Sequence, residues 1–215
     1  MSFSNNVRPD RTPGPIQGSP LTGLNEKVCI EVKKVFDACI QQETLPGEII
    51  SVTSTAPTKI CPPFKFISAR SASTKGEIQN LEVTPIADRP GCARVNCDIY
   101  IPLKVCFSDP LGNTIVGNSS ITIHKDIVLH IPEISVIPYD IEAVCNVVST
   151  VGTYVSDATF SVTLCAAIII KVITDVELLV PSYGYCYIPP CQNFQQEVCE
   201  GFFELPLFPS DKPKC

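Results

Sequence analysis

The chain has 215 residues, 45% hydrophobic and 18% charged, which is enough apolar side chain for a folded core and too apolar for a disordered chain. Sixteen lysines and arginines face 22 aspartates and glutamates, a net charge of −6 with a pI near 4.9, so the basic footprint needed by a nucleic-acid partner is missing. Twelve cysteines, 20 prolines and 11 glycines with no tryptophan argue against a helical bundle and against most enzyme classes, and favour β segments joined by turns.

Residues 1–27 read as a flexible arm, carrying Pro9, Pro13, Pro15 and Pro20 and few large apolar side chains. Fully extended, such an arm reaches roughly 90 Å. It is either a disordered terminus or a connector that orders on a neighbouring subunit. It contains no apolar run of the kind a secretory signal requires. The most apolar window, 164–173, is interrupted by Lys171 and is too short to span a bilayer, so no membrane partner is expected.

Residues 28–42 fit two patterns. Val28, Val32, Val35, Phe36 and Cys39 share one helical face, whereas Val28, Ile30 and Val32 alternate as in a strand. A short strand leading into a helical turn is expected. Strands are then predicted over 49–55, 64–72 and 77–86, separated by proline and glycine. The clearest strand is 94–107. Its odd positions, from Val95 through Cys97 to Phe107, are all apolar, and strict alternation marks one buried face. Pro102 cannot donate to a ladder and points to an edge strand or a bulge.

The sequence at 108–113 is a turn. The next strand, 114–131, carries Ile121, Ile123, Ile127, Leu129 and Ile131 on its odd face. A further strand, 139–149, puts Ile141, Ala143, Cys145 and Val147 on one face, and Gly152 is expected to turn the chain. Over 160–180 every even position except Thr174 is apolar, and Ala167 and Ile169 make the middle apolar on both faces, as in a central strand. The predicted organisation is an all-β, antiparallel β-sandwich over 28–180. An extended N-terminal arm (1–27) precedes it, and an irregular tail rich in cysteine, proline and aromatic residues (181–215) packs on the sandwich or on a neighbour.

No motif spells out catalysis. A Gly-rich phosphate loop and a Gly-x-Ser-x-Gly elbow are both missing. His124 and His130 lie about 20 Å apart on an extended strand, too far to share a metal, and read as solvent-facing. No Cys-x-x-Cys occurs; Cys92/Cys97 and Cys186/Cys191 are Cys-x₄-Cys, a weak metal signal. No catalytic, cofactor-binding or metal-binding residue is therefore assigned. Strand parity puts Cys97 and Cys145 on apolar faces, as buried thiols or an internal disulfide, and Cys106 and Cys165 on the opposite faces. Cys29, Cys39, Cys186, Cys191, Cys199 and Cys215 lie near the chain ends and are candidates for intermolecular disulfides. A set of internal staples is the competing arrangement. Twelve cysteines without a signal leave three settings open: a mature fragment, a metal-binding chain, or a chain made inside a cell and oxidised later.

The stretches 28–37 (VCIEVKKVFD), 88–95 (DRPGCARV), 181–186 (PSYGYC) and 201–206 (GFFELP) resemble cysteine-rich spore-surface proteins of endospore-forming clostridia. The region 92–180, with its Asp109-to-Gly112 turn between strands, resembles the SPOCS domain of spore coat and exosporium proteins. The resemblance covers about 185 residues and transfers no site residue. It implies synthesis in the mother-cell cytosol without a signal peptide, then exposure to oxidising surroundings at lysis. The expected function is a structural, non-enzymatic, self-assembling subunit of a spore surface layer or appendage. Such a subunit partners itself and other spore-surface proteins, through strand contacts and intermolecular disulfides. The alternative is a monomeric β-sandwich module that recognises a glycan or a coat protein.

Overall fold

A computed structural model describes residues 18–54 and 62–186. Residues 1–17 of the expected arm, Cys61, and the part of the expected tail holding Cys191, Cys199 and Cys215 lie outside the described residues. The described chain is all-β and antiparallel. Its strands are β1 (Glu26–Ser51), β2 (Thr53–Ser54), β3 (Lys65–Ser71), β4 (Lys75–Pro85), β5 (Cys92–Ser108), β6 (Thr114–His130), β7 (Asp140–Ser156) and β8 (Thr159–Ser182). They form one hydrogen-bonded sheet in the order β1-β8-β7-β3-β5-β6-β2, with β4 continuing beyond β3 against β5 and β7.

The strand β5 is the spine. From Ala93 to Phe107 every odd position is at most 1% exposed. Each of these side chains removes about 1.5–3 kcal/mol of apolar exposure from water when large, so this face alone fixes the register. The partner β6 pairs with it without a break, from Cys92↔His130 to Ser108↔Thr114. Opposite lie the inward faces of β7 and β8, with Ile141, Ala143, Cys145 and Val147 on one and Phe160 through Val172 on the other, and all belong to one core cluster. At one end of this core Phe64, Phe66, Phe107, Tyr154 and Phe160 pack edge-on or tilted, with ring centroids 5.2–6.1 Å apart.

The first and last strands of the sheet order are consecutive in the chain, separated only by Val52. The segment pairs with β8 as β1 and with β6 as β2, through Thr53↔Asn118 and Ser54↔Gly117. Farther back, Ser119 Oγ donates to the Ser51 carbonyl at 2.8 Å, and the His130 amide donates to Asp37 Oδ2 at 2.7 Å. The segment thus follows β6 antiparallel while bonded to β8. The layers expected of a sandwich are parts of one sheet whose two ends meet.

Four local expectations change. First, 28–42 contains no helical turn, because β1 is a single strand. Its inward positions move from even (Val28, Ile30, Val32, Phe36) to odd (Cys39, Glu43, Leu45) and back to even (Ile50, Val52). The first parity change reproduces a helical spacing, and Gly47, at φ +75°, lies within the second. Second, Pro102 marks no edge: β5 is interior. The Pro102 carbonyl accepts from Ala72 at 2.8 Å, so its nitrogen faces the break between β3 and β4, where no ladder acceptor is present. Third, Gly152 does not turn the chain. The strand β7 passes through a bulge between Val148 and Val151, with Ser149 Oγ bonded to Val151, and runs on to Ser156. Gly152 is there because a Cβ would lie 2.8 Å from the Phe66 ring. The turn itself is Asp157-Ala158, both at positive φ as a two-residue hairpin requires. Fourth, only the 160–172 part of β8 is fully buried on its even face; Ala167 and Ile169 on the odd face are half-buried, and Leu178 and Leu179 are exposed. The 108–113 turn forms as expected, with Asp109 Oδ1 accepting from the amides of Leu111 (2.9 Å) and Asn113 (2.8 Å).

The chain divides into two compact units, Val32–Val176 and a unit made of Met1–Glu31 with Glu177–Cys215. These boundaries fall a few residues inside those expected from the sequence. The first unit holds the core described above. In the second, the described residues form a ribbon of the first residues of β1 and the last of β8. There the Asn25 amide donates to Ser182 O at 2.9 Å, and Tyr183 Oη donates to the Pro20 carbonyl. None of this unit's described residues is buried.

The seat of β2 on β6 is testable at Gly117. A Cβ there would lie 2.3 Å from Val52 Cγ1 and 2.9 Å from the Thr53 carbonyl oxygen. We expect Gly117→Ala to lower stability by about 1–3 kcal/mol, the usual range for overpacking. Adding Val52→Ala should not restore it, because the backbone contact remains. Urea midpoints of the three proteins check this; an unchanged midpoint for Gly117→Ala would show that β2 is not seated as described.

Candidate functional site

The inward face of β6 carries one side chain that its pattern does not call for. Lys125 lies between Ile123 and Ile127 and is only 4% exposed. Its ammonium donates to Glu43 Oε1 of β1 at 2.5 Å, and the Glu43 side chain is 33% exposed. Directly across the β5–β6 ladder stands Cys97. Lys125 is also a positive charge that acts on Cys39 of β1 and Cys145 of β7. The result is a cluster of the buried Lys125, Cys97 and Cys145 with the half-buried Glu43 and Cys39, contributed by four strands.

The thiols of this cluster all have their pKa raised. Burial raises Cys97, which is completely inaccessible. Burial pushes Cys145 up to about 11. Burial also raises Cys39, against a hydrogen bond to the Ile170 backbone that acts the other way. In each case removing the thiolate from water outweighs the Lys125 charge. A neighbouring Gly76 keeps the space tight, since a Cβ there would lie 2.7 Å from Cys145 Sγ.

The remaining described thiols face outward. Cys29, Cys165 and Cys186 are exposed, Cys92 and Cys106 are half-buried, and all eight described cysteines are free. Cys29 Sγ lies 4.0 Å from Glu177 Oε2. Of the residues expected to reach other chains, the structure therefore places Cys29 and Cys186 at the surface and Cys39 partly inside against Ile170. Cys97 and Cys145 share the interior cluster.

The outer face of β5 and β6 is polar. Arg94 Nε donates to Asp126 Oδ1 at 2.7 Å, and that guanidinium holds the carboxyl below its ordinary range. Asp98 is lowered by Asn80 (2.8 Å) and then by His124 (2.9 Å). His124 and His130 are both exposed, on a strand that keeps them apart. Among the described residues no group of three or more His, Cys, Asp or Glu side chains is arranged to hold a metal ion.

Sequence patterning missed Lys125 and its partner Glu43. The one available signal was parity: position 125 is odd in the stretch 121–131, whose odd positions are otherwise apolar, and only an inward lysine keeps that register unbroken. No family model, curated protein or solved structure matches the chain.

Removing half of the buried pair isolates the other charge. We expect Glu43→Gln to destabilise by about 1–3 kcal/mol, less than for a fully buried pair because Glu43 is partly in water. Lys125→Met combined with Glu43→Gln should recover most of that loss, since replacing both ends costs little. Denaturant unfolding of wild type, single and double variants reads the order directly. If Glu43→Gln matches wild type, the pair is not a buried contact.

Thiol accessibility is a separate check. At pH 8 a thiol with a pKa near 11 is about one part in a thousand thiolate. In the reduced, folded protein we expect Cys29, Cys165 and Cys186 to alkylate quickly and Cys97 and Cys145 only on unfolding. Peptide mapping after a short iodoacetamide pulse decides this, and rapid labelling of Cys97 or Cys145 would contradict their burial.

Proposed function

We propose that this chain is a structural, non-enzymatic subunit that assembles with copies of itself on a spore surface, locked by disulfides between chains. The observation that carries the reading is the sorting of the thiols. The interior ones are sequestered with raised pKa, while Cys29 and Cys186 are exposed on the unit built from the two ends of the chain. Exposed thiols near chain ends can meet those of another molecule without distorting a core. Two thiols on neighbouring copies join as one disulfide, and their two electrons and two protons pass to dioxygen once the surroundings become oxidising. The spore setting rests on the sequence resemblance, and it supplies that change of surroundings. Pairing of open strand edges is a weaker contributor than the sequence implied, because β5 is interior and the sheet ends meet.

The expected result on a non-reducing gel is a ladder of covalent multimers after air oxidation, collapsing to monomer with a reductant. Cys29→Ser with Cys186→Ser should thin or abolish it. Immunogold labelling of intact spores should decorate their outermost layer. A single compact monomer under oxidising conditions at high concentration would favour the monomeric binding module instead.

A further inference from the structure

The ladders of the sheet give each strand cysteine a different neighbour. Cys97 stands opposite the buried Lys125, and Cys106 opposite Val116. Between β7 and β8, Cys145 stands opposite Ile168 and Cys165 opposite Val148. Cys92, the first residue of β5, is the one cysteine of these two ladders that stands opposite a histidine, His130 at the end of β6.

The register brings this pair close. The Ile131 amide donates to the Gly91 carbonyl at 2.7 Å, so the neighbouring position, Cys92↔His130, is a non-hydrogen-bonded one. At such positions the two Cα atoms approach to about 4.5 Å and the side chains lie closest. The His130 amide is accordingly turned away from the ladder and donates to Asp37 Oδ2 at 2.7 Å. Gly91 makes room for the ring. It has φ +79°, and a Cβ there would lie 2.7 Å from His130 Cε1 and 3.0 Å from Nδ1. The imidazole therefore rests on the backbone immediately before Cys92. Cys92 is itself held at both backbone groups, its amide donating to the Arg89 carbonyl and its carbonyl accepting from Ile86, each at 3.0 Å. The thiol is half-buried and the imidazole exposed, so a reagent in solution can reach them.

We propose that Cys92 and His130 form a thiol–disulfide exchange site, at which the imidazole takes the thiol proton while Cys92 attacks a small disulfide. The Cys92 sulfur bonds to one sulfur of the disulfide, whose S–S bond breaks. The other sulfur leaves as a thiolate and receives the proton from His130. Cys92 ends in a mixed disulfide and the departing sulfur is reduced, so no further oxidant is needed. The step occurs once per chain and does not depend on self-assembly. The charged groups that register and sequence place around the pair are Arg94 with its partner Asp126, Asp88 and Arg89 in the turn, Glu133 after His130, and Asp37 at its amide. Carboxylates are weaker bases than imidazole, and none of these stands opposite Cys92, which leaves His130 as the proton acceptor.

The test is a short pulse of oxidised glutathione on the reduced, full-length chain, stopped with acid and read by peptide mass mapping. At about pH 7 we expect Cys92 to be modified at least about tenfold faster than Cys106, the other half-buried thiol of β5. His130→Gln should remove that advantage, whereas His124→Gln, on the same strand, should leave it intact. Between about pH 7 and pH 9 the ratio of the two rates should fall about tenfold in the wild type, because a free thiol ionises unaided over that range. A thiol that is merely better exposed would keep a constant ratio, and that result overturns the site. Equal Cys92 rates in wild type and His130→Gln at pH ~7 overturn it as well. Continued protection of the buried Cys97 shows that each variant keeps its sheet. If His130→Gln loses that protection, the pH dependence of the wild-type ratio decides alone.

Discussion

A sheet of eight strands either leaves two rows of unpaired backbone groups at its margins or bends until its first and last strands meet. In Val32–Val176 the second solution is reached with one piece of chain. The segment β1–β2 bonds to β8, then turns its last residues onto β6, and along the way its side chains reach β6 through Asp37, Glu43 and Ser51. Were it removed, the inner faces of β6 and β8 would open to water together, because each is covered where the segment lies between them. The single cluster of core side chains follows from this arrangement.

The closed wall also explains how a lysine can be tolerated inside. Lys125 is displaced from solvent by its own strand's register, and the carboxylate that answers it comes from the strand that closes the sheet. An ion pair of this kind adds little net stability over a hydrophobic pair, but it penalises any arrangement that separates its ends. The same enclosure divides the cysteines into two chemical populations. The thiolate is costly inside, where Cys97 and Cys145 sit, whereas Cys165 is exposed to solvent.

Where one face of a strand is buried from end to end, its pattern was readable directly. The strands β5 and β6 and the first half of β7 needed only a period of two, and the Asp109 turn announced itself by its residue types. Elements that change parity midway were not readable. In β1, two shifts of the inward face turned a strand into an apparent helix. In β7, Ser149 and Gly152 carry the composition of a turn but form a bulge and a close approach to Phe66. Pro102 misled for a different reason. Its missing donor is harmless in an interior strand when the neighbour is interrupted opposite it, and interruption of a neighbour is a property of the partner's sequence. Lys125 escaped because its partner lies more than eighty residues away, and no local rule connects the two. The proposed spore setting rests on the sequence resemblance and the proposed self-assembly on the sorting of the thiols, not on any local motif.

The strand that closes the sheet is the first to leave the ribosome and the last whose partner is made. Cys39 on β1 and Ile170 on β8, which share a hydrogen bond, are about 130 residues apart in the chain. At ordinary rates of synthesis β8 follows β1 by roughly 6 to 26 seconds. Throughout that interval Val28, Ile30, Val32 and Phe36 have no β8 to cover them, while the hairpin of β5 and β6 can already form from neighbouring sequence. Closure of the sheet is consequently a slow, non-local step that waits for the synthesis of β8. Until β8 is made, the contacts open to β1 are those with β6, through Asp37, Glu43 and Ser51.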